Sequence, residues 1–213
     1  MARISASILS FLFHSRQKKE SDAMMIENIN KALKDKRDKF DILHFDIEDG
    51  GFVGYKSFSV LQVSKIKCSQ KKEAHLMVID YKAYIKDYYH YADMFIVHNE
   101  VIKSDFEKTI EFLKKNKKFI GISINQETPV DSIKYLDKID AVLVMSVHPG
   151  LPGQKFIDHS INKIKKLNDL REKNKYHYLI EVDGGINDAI GKKCSDAGAD
   201  ILVMGSHLFK EKC

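Results

Sequence analysis

Residues 40–51, Phe-Asp-Ile-Leu-His-Phe-Asp-Ile-Glu-Asp-Gly-Gly, decide how the fold of this chain is read. Successive side chains of a strand point to opposite faces. A strand over 42–47 therefore sends His44 and Asp46 to one side and Leu43, Phe45 and Ile47 to the other. Continued to Glu48, it would place a third polar residue on the first face before Asp49-Gly50-Gly51 turns the chain. Apolar residues on one face and His plus Asp on the other suit a barrel strand. The apolar face meets surrounding helices, and the polar face lines a site near the strand's C-terminal end. A lone His-x-Asp is weak evidence by itself, so partners must come from the rest of the chain.

Working outward, strands are expected at 3–9, 73–78, 94–97, 119–124, 141–145, 178–182 and 201–204. Helical spacing of apolar residues falls between them, at 20–33, 60–66, 83–91, 105–115, 132–136, 161–172 and 189–197. Strand–helix alternation without a linker predicts a parallel sheet, and eight units predict a closed barrel. The expectation is a single-domain α/β protein, a (β/α)8 TIM barrel over residues 1–213. An open doubly wound sheet is disfavoured, because no Gly-x-Gly-x-x-Gly follows the first strand.

The totals narrow the function. A chain of 213 residues can bury a sizeable single core. Its net charge of +5 is spread over lysine pairs in or beside the expected helices, which reads as solvated outer faces. With no nucleic-acid motif and no Trp, a nucleic-acid role is not expected. No apolar run reaches membrane-spanning length. The N-terminal Ile-Ser-Ala-Ser-Ile-Leu-Ser is too broken by serine for a leader and reads as a first strand. Cys68, Cys194 and Cys213 are odd in number and far apart, indicating neither a disulfide framework nor a zinc ribbon, so a cytoplasmic location is expected.

The polar and glycine-rich residues cluster just after strands two, three, six, seven and eight, which in a barrel share one rim. There His44, Asp46, His75 and Asp183 would converge as a divalent-cation site. Taken singly, His75 reads equally as a satisfied core histidine and Asp183 as a turn residue before Gly184-Gly185. Anion binding has candidates in Gly150-Leu151-Pro152-Gly153, Gly184-Gly185 and Gly205-Ser206, where glycine lets backbone N–H groups approach a phosphate. Met77 and Met145 read as a soft apolar wall, or simply as core.

These residues also carry a resemblance. Ala-Ser-Ile-Leu-Ser (6–10), His-Phe-Asp-Ile-Glu-Asp-Gly (44–50), His-Leu-Met-Val (75–78), Met-Ser-Val-His-Pro-Gly-Leu-Pro-Gly-Gln-Lys-Phe (145–156), Val-Asp-Gly-Gly-Ile-Asn (182–187) and Ala-Gly-Ala-Asp (197–200) before Gly-Ser (205–206) stand in one order. Along nearly its whole length the sequence resembles the ribulose-phosphate 3-epimerase family. The resemblance implies metal-dependent epimerisation at carbon 3 of a ketose phosphate, ribulose 5-phosphate to xylulose 5-phosphate, in the cytoplasm. It implies that His44, Asp46, His75 and Asp183 hold one divalent ion (Zn²⁺ or Fe²⁺, with Mn²⁺ or Co²⁺ as alternatives). Asp46 and Asp183 would double as base and acid. Ser7, His75, Met77, Met145, Gly150, Leu151, Pro152, Gly153, Gly184, Gly185, Gly205 and Ser206 would hold the sugar phosphate. A homo-oligomer is expected. A hexulose-phosphate (allulose 6-phosphate) epimerase and a non-catalytic phosphate- or metal-binding barrel are the alternatives.

Some positions depart from the family. Glu48 stands where a methionine is usual, free to add a ligand, shift Asp46 or point to solvent. Gly51, Gly54 and Tyr55 replace His, Pro and Asn, and Pro152 replaces a glycine and removes an N–H. The chain reaches Cys213 without the usual full closing helix, which would leave strands eight and one short of cover unless the N-terminal segment or another subunit supplies it.

Overall fold

A computed structural model describes residues 2–209. Eight parallel strands close into a barrel in chain order, β1 (Arg3–Ser7), β2 (Ile42–Glu48), β3 (Lys71–Met77), β4 (Met94–His98), β5 (Phe119–Ile124), β6 (Ala141–Met145), β7 (Leu179–Asp183) and β8 (Ile201–Met204). Closure is made by β8 on β1, with Arg3 beside Ile201 and Ala6 beside Met204. The helices are α1 (Leu9–Lys18), α2 (Asp22–Asp35), α3 (Val60–Val63), α4 (Tyr81–Tyr88), α5 (Phe106–Lys115), α6 (Ser160–Asn174) and α7 (Asp188–Asp196).

Two apolar clusters follow from strand alternation. Outward residues such as Leu43, Phe45, Ile47, Leu76 and Phe95 pack against helix faces such as Met25, Ile26, Ile29 and Leu33 of α2, at the three- and four-residue spacing of a buried helical stripe. A second, small cluster lies inside the barrel, made of Ile96, Leu143, Met145 and Val147. Where β1, β2, β3 and β7 face inward, Ser5, Ser7, His44, Asp46, Glu48, Glu73, His75 and Glu181 are buried instead. A barrel interior is normally filled by apolar side chains. Here one arc of it is polar.

The lower rim carries a repeated clamp. Asp41, Asp93, Asp140 and Asp200 each precede an even-numbered strand, and each carboxylate accepts the backbone N–H of the strand before: Ile4 (2.8 Å), Lys72 (2.9 Å), Ile120 (2.9 Å) and Ile180 (2.8 Å). The same aspartates donate their own N–H groups to the carbonyls of Ile4, Lys72, Ile120 and Ile180. Each pair β1–β2, β3–β4, β5–β6 and β7–β8 is thus tied at its base, where backbone groups would otherwise be left to solvent.

Three expectations are corrected. The first strand stops at Ser7, and the chain enters α1, which buries Leu9, Phe11 and Leu12. The segment 132–136 is not helical: a single 3-10 turn over Val130–Ser132 gives way to extended backbone at Ile133, a stretch too short to repay helix nucleation. The helix expected over 60–66 is one turn, Val60–Val63, opened by a Ser59–Gln62 capping box. Among the described residues no helix follows β8, and Cys213 lies outside them. Instead Phe209 is buried edge-on against Phe11 of α1, their ring centroids 5.1 Å apart. The N-terminal segment therefore contributes cover on this side.

Candidate active site

The inward faces of β2, β3 and β7 bring His44, Asp46, His75 and Asp183 to one point. They offer four ligand atoms that all lie within 4.8 Å of one another. Asp46 is the hub: its Oδ1 is 3.4 Å from His44 Nε2 and 3.6 Å from His75 Nδ1, while its Oδ2 accepts the Ser7 hydroxyl at 2.7 Å. Asp183 approaches His75 Nδ1 at 3.8 Å. At the end of β7, the Ser146 hydroxyl donates to the backbone carbonyls of Asp183 (2.8 Å) and Gly184 (2.7 Å), holding the strand end that presents Asp183.

The donor set suits a divalent cation. His44 Nε2 and His75 Nδ1 are buried and have no hydrogen-bond partner, although buried polar atoms are seldom left so. Both face the carboxylates of Asp46 and Asp183. Two imidazole nitrogens with two carboxylates form a nitrogen–oxygen set that zinc, iron, manganese and cobalt accept.

The electrostatics of the metal-free chain push the two carboxylates apart. Burial raises the Asp46 carboxyl, but the charge and close approach of His44 and His75 outweigh it and hold Asp46 well below the usual carboxylate range. Burial, then the charge of Asp46, pushes Asp183 up to about 7. The histidines diverge too. Burial lowers both, taking His75 down to about 4, whereas Asp46 and Glu73 overcome it at His44 and raise that ring well above its ordinary value.

Below the cluster lies a carboxylate floor. His44 Nδ1 is 2.7 Å from Glu73, whose Oε1 also accepts the Ser5 hydroxyl at 2.5 Å. Glu181 is fully buried beside them, 3.8 Å from His44 Nδ1, and burial followed by the charge of Glu73 raises it well above the usual range. To the side, His75 Nε2 meets His98 Nε2 at 2.9 Å. None of Glu73, Glu181 and His98 stands among the residues expected at the site. The signal for the two glutamates was present, since each precedes an expected ligand by two on the same strand face.

Above the cluster opens a cavity of about 210 Å³. Ser7, Asp46, Met77, Met145, Gly150, Leu151, Pro152, Gly153, Asp183, Gly184, Gly185, Gly205 and Ser206 all line it, joined by Ser10, Gln154, Asn187 and His207, which were not anticipated. His44 and His75 lie beneath it, fully buried, so His75 is not a lining residue. Gly185 is required on two counts: its φ is +67°, and a Cβ would collide with the backbone nitrogen of Phe156. Gly184, at φ +121°, leaves room for Val147 in the same way. Glu48 points neither to solvent nor into the four-ligand cluster. It is 4% exposed with both carboxylate oxygens unpartnered, and burial, then the charge of Asp46, pushes it up to about 8.

The profile of the ribulose-phosphate 3 epimerase family matches residues 3–209. The chain belongs to that family. Its relatives include the ribulose-phosphate 3-epimerase of Buchnera aphidicola, 37% identical over 176 residues, covering 79% of this chain and 77% of that protein. The enzyme of the same name from Methanocaldococcus jannaschii is 36% identical over 213 residues, covering 98% of this chain and 85% of that one. The family makes the chain an isomerase of the epimerase type. At the level of fold alone, KGPDC from Streptococcus mutans superposes with a TM-score of 0.67 at 13% identity, covering 99% and 96% of the two chains. A 3-hexulose-6-phosphate synthase does so at 0.66 and 12%, covering 96% and 90%. Among the described residues, no helix is long and apolar enough to cross a membrane.

Proposed function

We propose that this epimerase interconverts D-ribulose 5-phosphate and D-xylulose 5-phosphate, with Asp46 and Asp183 exchanging the proton on carbon 3. The observation that carries the reading is the convergence of four ligand atoms, two of them unpartnered imidazole nitrogens, at the floor of a glycine-lined cavity. His44, Asp46, His75 and Asp183 would hold one divalent ion. When bound, it supplies Lewis-acid charge where negative charge gathers as the carbon 3 proton leaves.

The side chains divide the remaining work. Inverting carbon 3 means taking a proton from one face and returning one to the other, which needs two groups of different basicity. Asp46, held ionised, suits the base, and Asp183, held closer to neutrality, suits the acid. The reverse reaction exchanges their roles. Ser7, which donates to Asp46, keeps that carboxylate oriented. Met77 and Met145, both buried and lining the cavity, exclude water from the reacting carbon. The loops at Gly150–Gly153, Gly184-Gly185 and Gly205-Ser206 would take the phosphate on backbone N–H groups, with Pro152 contributing none. The same reading carries a cytoplasmic homo-oligomer.

The test is solvent deuterium incorporation at carbon 3 of ribulose 5-phosphate, using protein stripped of metal and then reloaded with Zn²⁺, Fe²⁺, Mn²⁺ or Co²⁺. Exchange only after reloading is expected. Exchange of allulose 6-phosphate alone would move the substrate to the longer sugar. Metal and sugar-phosphate binding without any exchange would make the chain a non-catalytic barrel.

A further inference from the structure

We propose that Glu100 and His98 are positioning residues that fix which nitrogen of His75 carries its proton. The proposal rests on the metal-binding role given to His75 above.

The argument runs inward from Glu100, in the 3-10 turn Asn99–Val101 that follows β4. Its Oε1 accepts the backbone N–H of Asn125 at 2.9 Å and the hydroxyl of Thr128. Its Oε2 lies 3.1 Å from His98 Nδ1. A carboxylate supplied with donors stays ionised and can only accept. His98 Nδ1 must therefore carry a hydrogen. The opposite arrangement would set a nitrogen lone pair against the carboxylate.

A neutral imidazole carries one N–H, so His98 Nε2 is left as an acceptor. It lies 2.9 Å from His75 Nε2, which must then be the donor. The proton of His75 is used on that side, and Nδ1 is left bare. That bare nitrogen is the buried, unpartnered atom facing Asp46 at 3.6 Å and Asp183 at 3.8 Å. Both rings are fully buried, so water cannot replace the contact between them.

The middle ring is also held mechanically. His98 meets His75 edge to edge with centroids 4.9 Å apart and planes at 25°, and Phe52 covers His98 at 4.6 Å. Phe52 is itself fastened, because Asp49 Oδ1 accepts its N–H at 2.8 Å while Asp49 Oδ2 accepts that of Ile79 at 2.7 Å. The loop after β2 thus presses on the ring that orients a β3 ligand.

Long-range ¹H–¹⁵N correlation on metal-free, ¹⁵N-histidine-labelled full-length protein reads the tautomers directly. His75 is expected protonated at Nε2 and bare at Nδ1, with His98 protonated at Nδ1. A His75 proton on Nδ1 overturns the proposal, whatever the metal does. In Glu100→Gln the amide can donate as well as accept, so the reversed tautomer of both rings becomes populated. Zn²⁺ affinity, measured by chelator competition, should fall about tenfold, the usual scale for losing an outer partner of a metal histidine. Unchanged tautomers and affinity in Glu100→Gln would reduce the pair to a structural role and also overturn the proposal. Expected tautomers in a wild-type protein that binds no divalent metal would uphold the relay while removing the metal reading beneath it.

Discussion

The two histidines that face the same carboxylates are held by opposite means. His44 rests on charge: Glu73 lies beneath it, Glu181 beside that, and the ring is driven toward its cationic form before a metal arrives. His75 rests on neutral rings: His98 lies beside it, Phe52 covers His98 in turn, and burial keeps His75 uncharged. To bind a cation, His44 would have to give up a proton and His75 would not. A site of this kind is part spring and part rigid post, and the two can be tested separately.

Asp46 touches both sides, so changing it has the largest effect. Asp46→Asn should lower epimerase turnover by about a thousandfold or more while the circular dichroism spectrum is retained; turnover within tenfold of wild type would remove it from the proton transfer. Next comes the charged side. Glu73→Ala leaves the His44 N–H and the Ser5 hydroxyl buried without their acceptor. Breaking a buried pair in this way costs about 3 kcal/mol, and Tm in metal-free protein should fall by about 6–12 °C. A shift below ~2 °C would show that Glu73 is not a support.

The smallest expected effect is at the rim. Glu48 is protonated in the fold up to about pH 8, against a usual value of 4.5, so the folded state binds more protons than the unfolded one between those limits. Stability from this group is therefore lost as pH rises through that window. Glu48→Gln loses no hydrogen bond, since neither oxygen has one. In metal-free protein it should melt about 5 °C above wild type at pH 8, with the gap closing toward pH 5. A gap that does not change with pH would refute the burial argument.

Much of this was legible in the sequence because a strand's alternation survives burial. Knowing that His44 and Asp46 share a face, with His75 and Asp183 at the same rim, was enough to bring the four together, and the expected bounds of β5, β6 and β8 are those observed. The same alternation, applied to Glu73 with His75 and to Glu181 with Asp183, would have revealed the carboxylate floor. The relay through His98 was not legible, because it depends on two rings from different strands meeting within 2.9 Å. Nor was α1: Leu9-Ser10-Phe11-Leu12 satisfies strand and helix spacing equally over so short a run. Pro152 lines the cavity as expected, while Phe52 of the altered loop after β2 packs against His98 of β4, two strands away.

The four aspartate clamps at the lower rim divide the barrel into quarters, each a pair of consecutive strands closed at its own base. Contacts within a quarter join residues nearer in sequence than the barrel's closure of β8 on β1, and local contacts form fastest. Yet the residues that could hold a cation are split among three quarters, His44 and Asp46 in the first, His75 in the second and Asp183 in the fourth. A newly made chain can therefore acquire most of its secondary structure with no metal centre at all. The four side chains that could hold a cation meet only once those quarters have closed on one another.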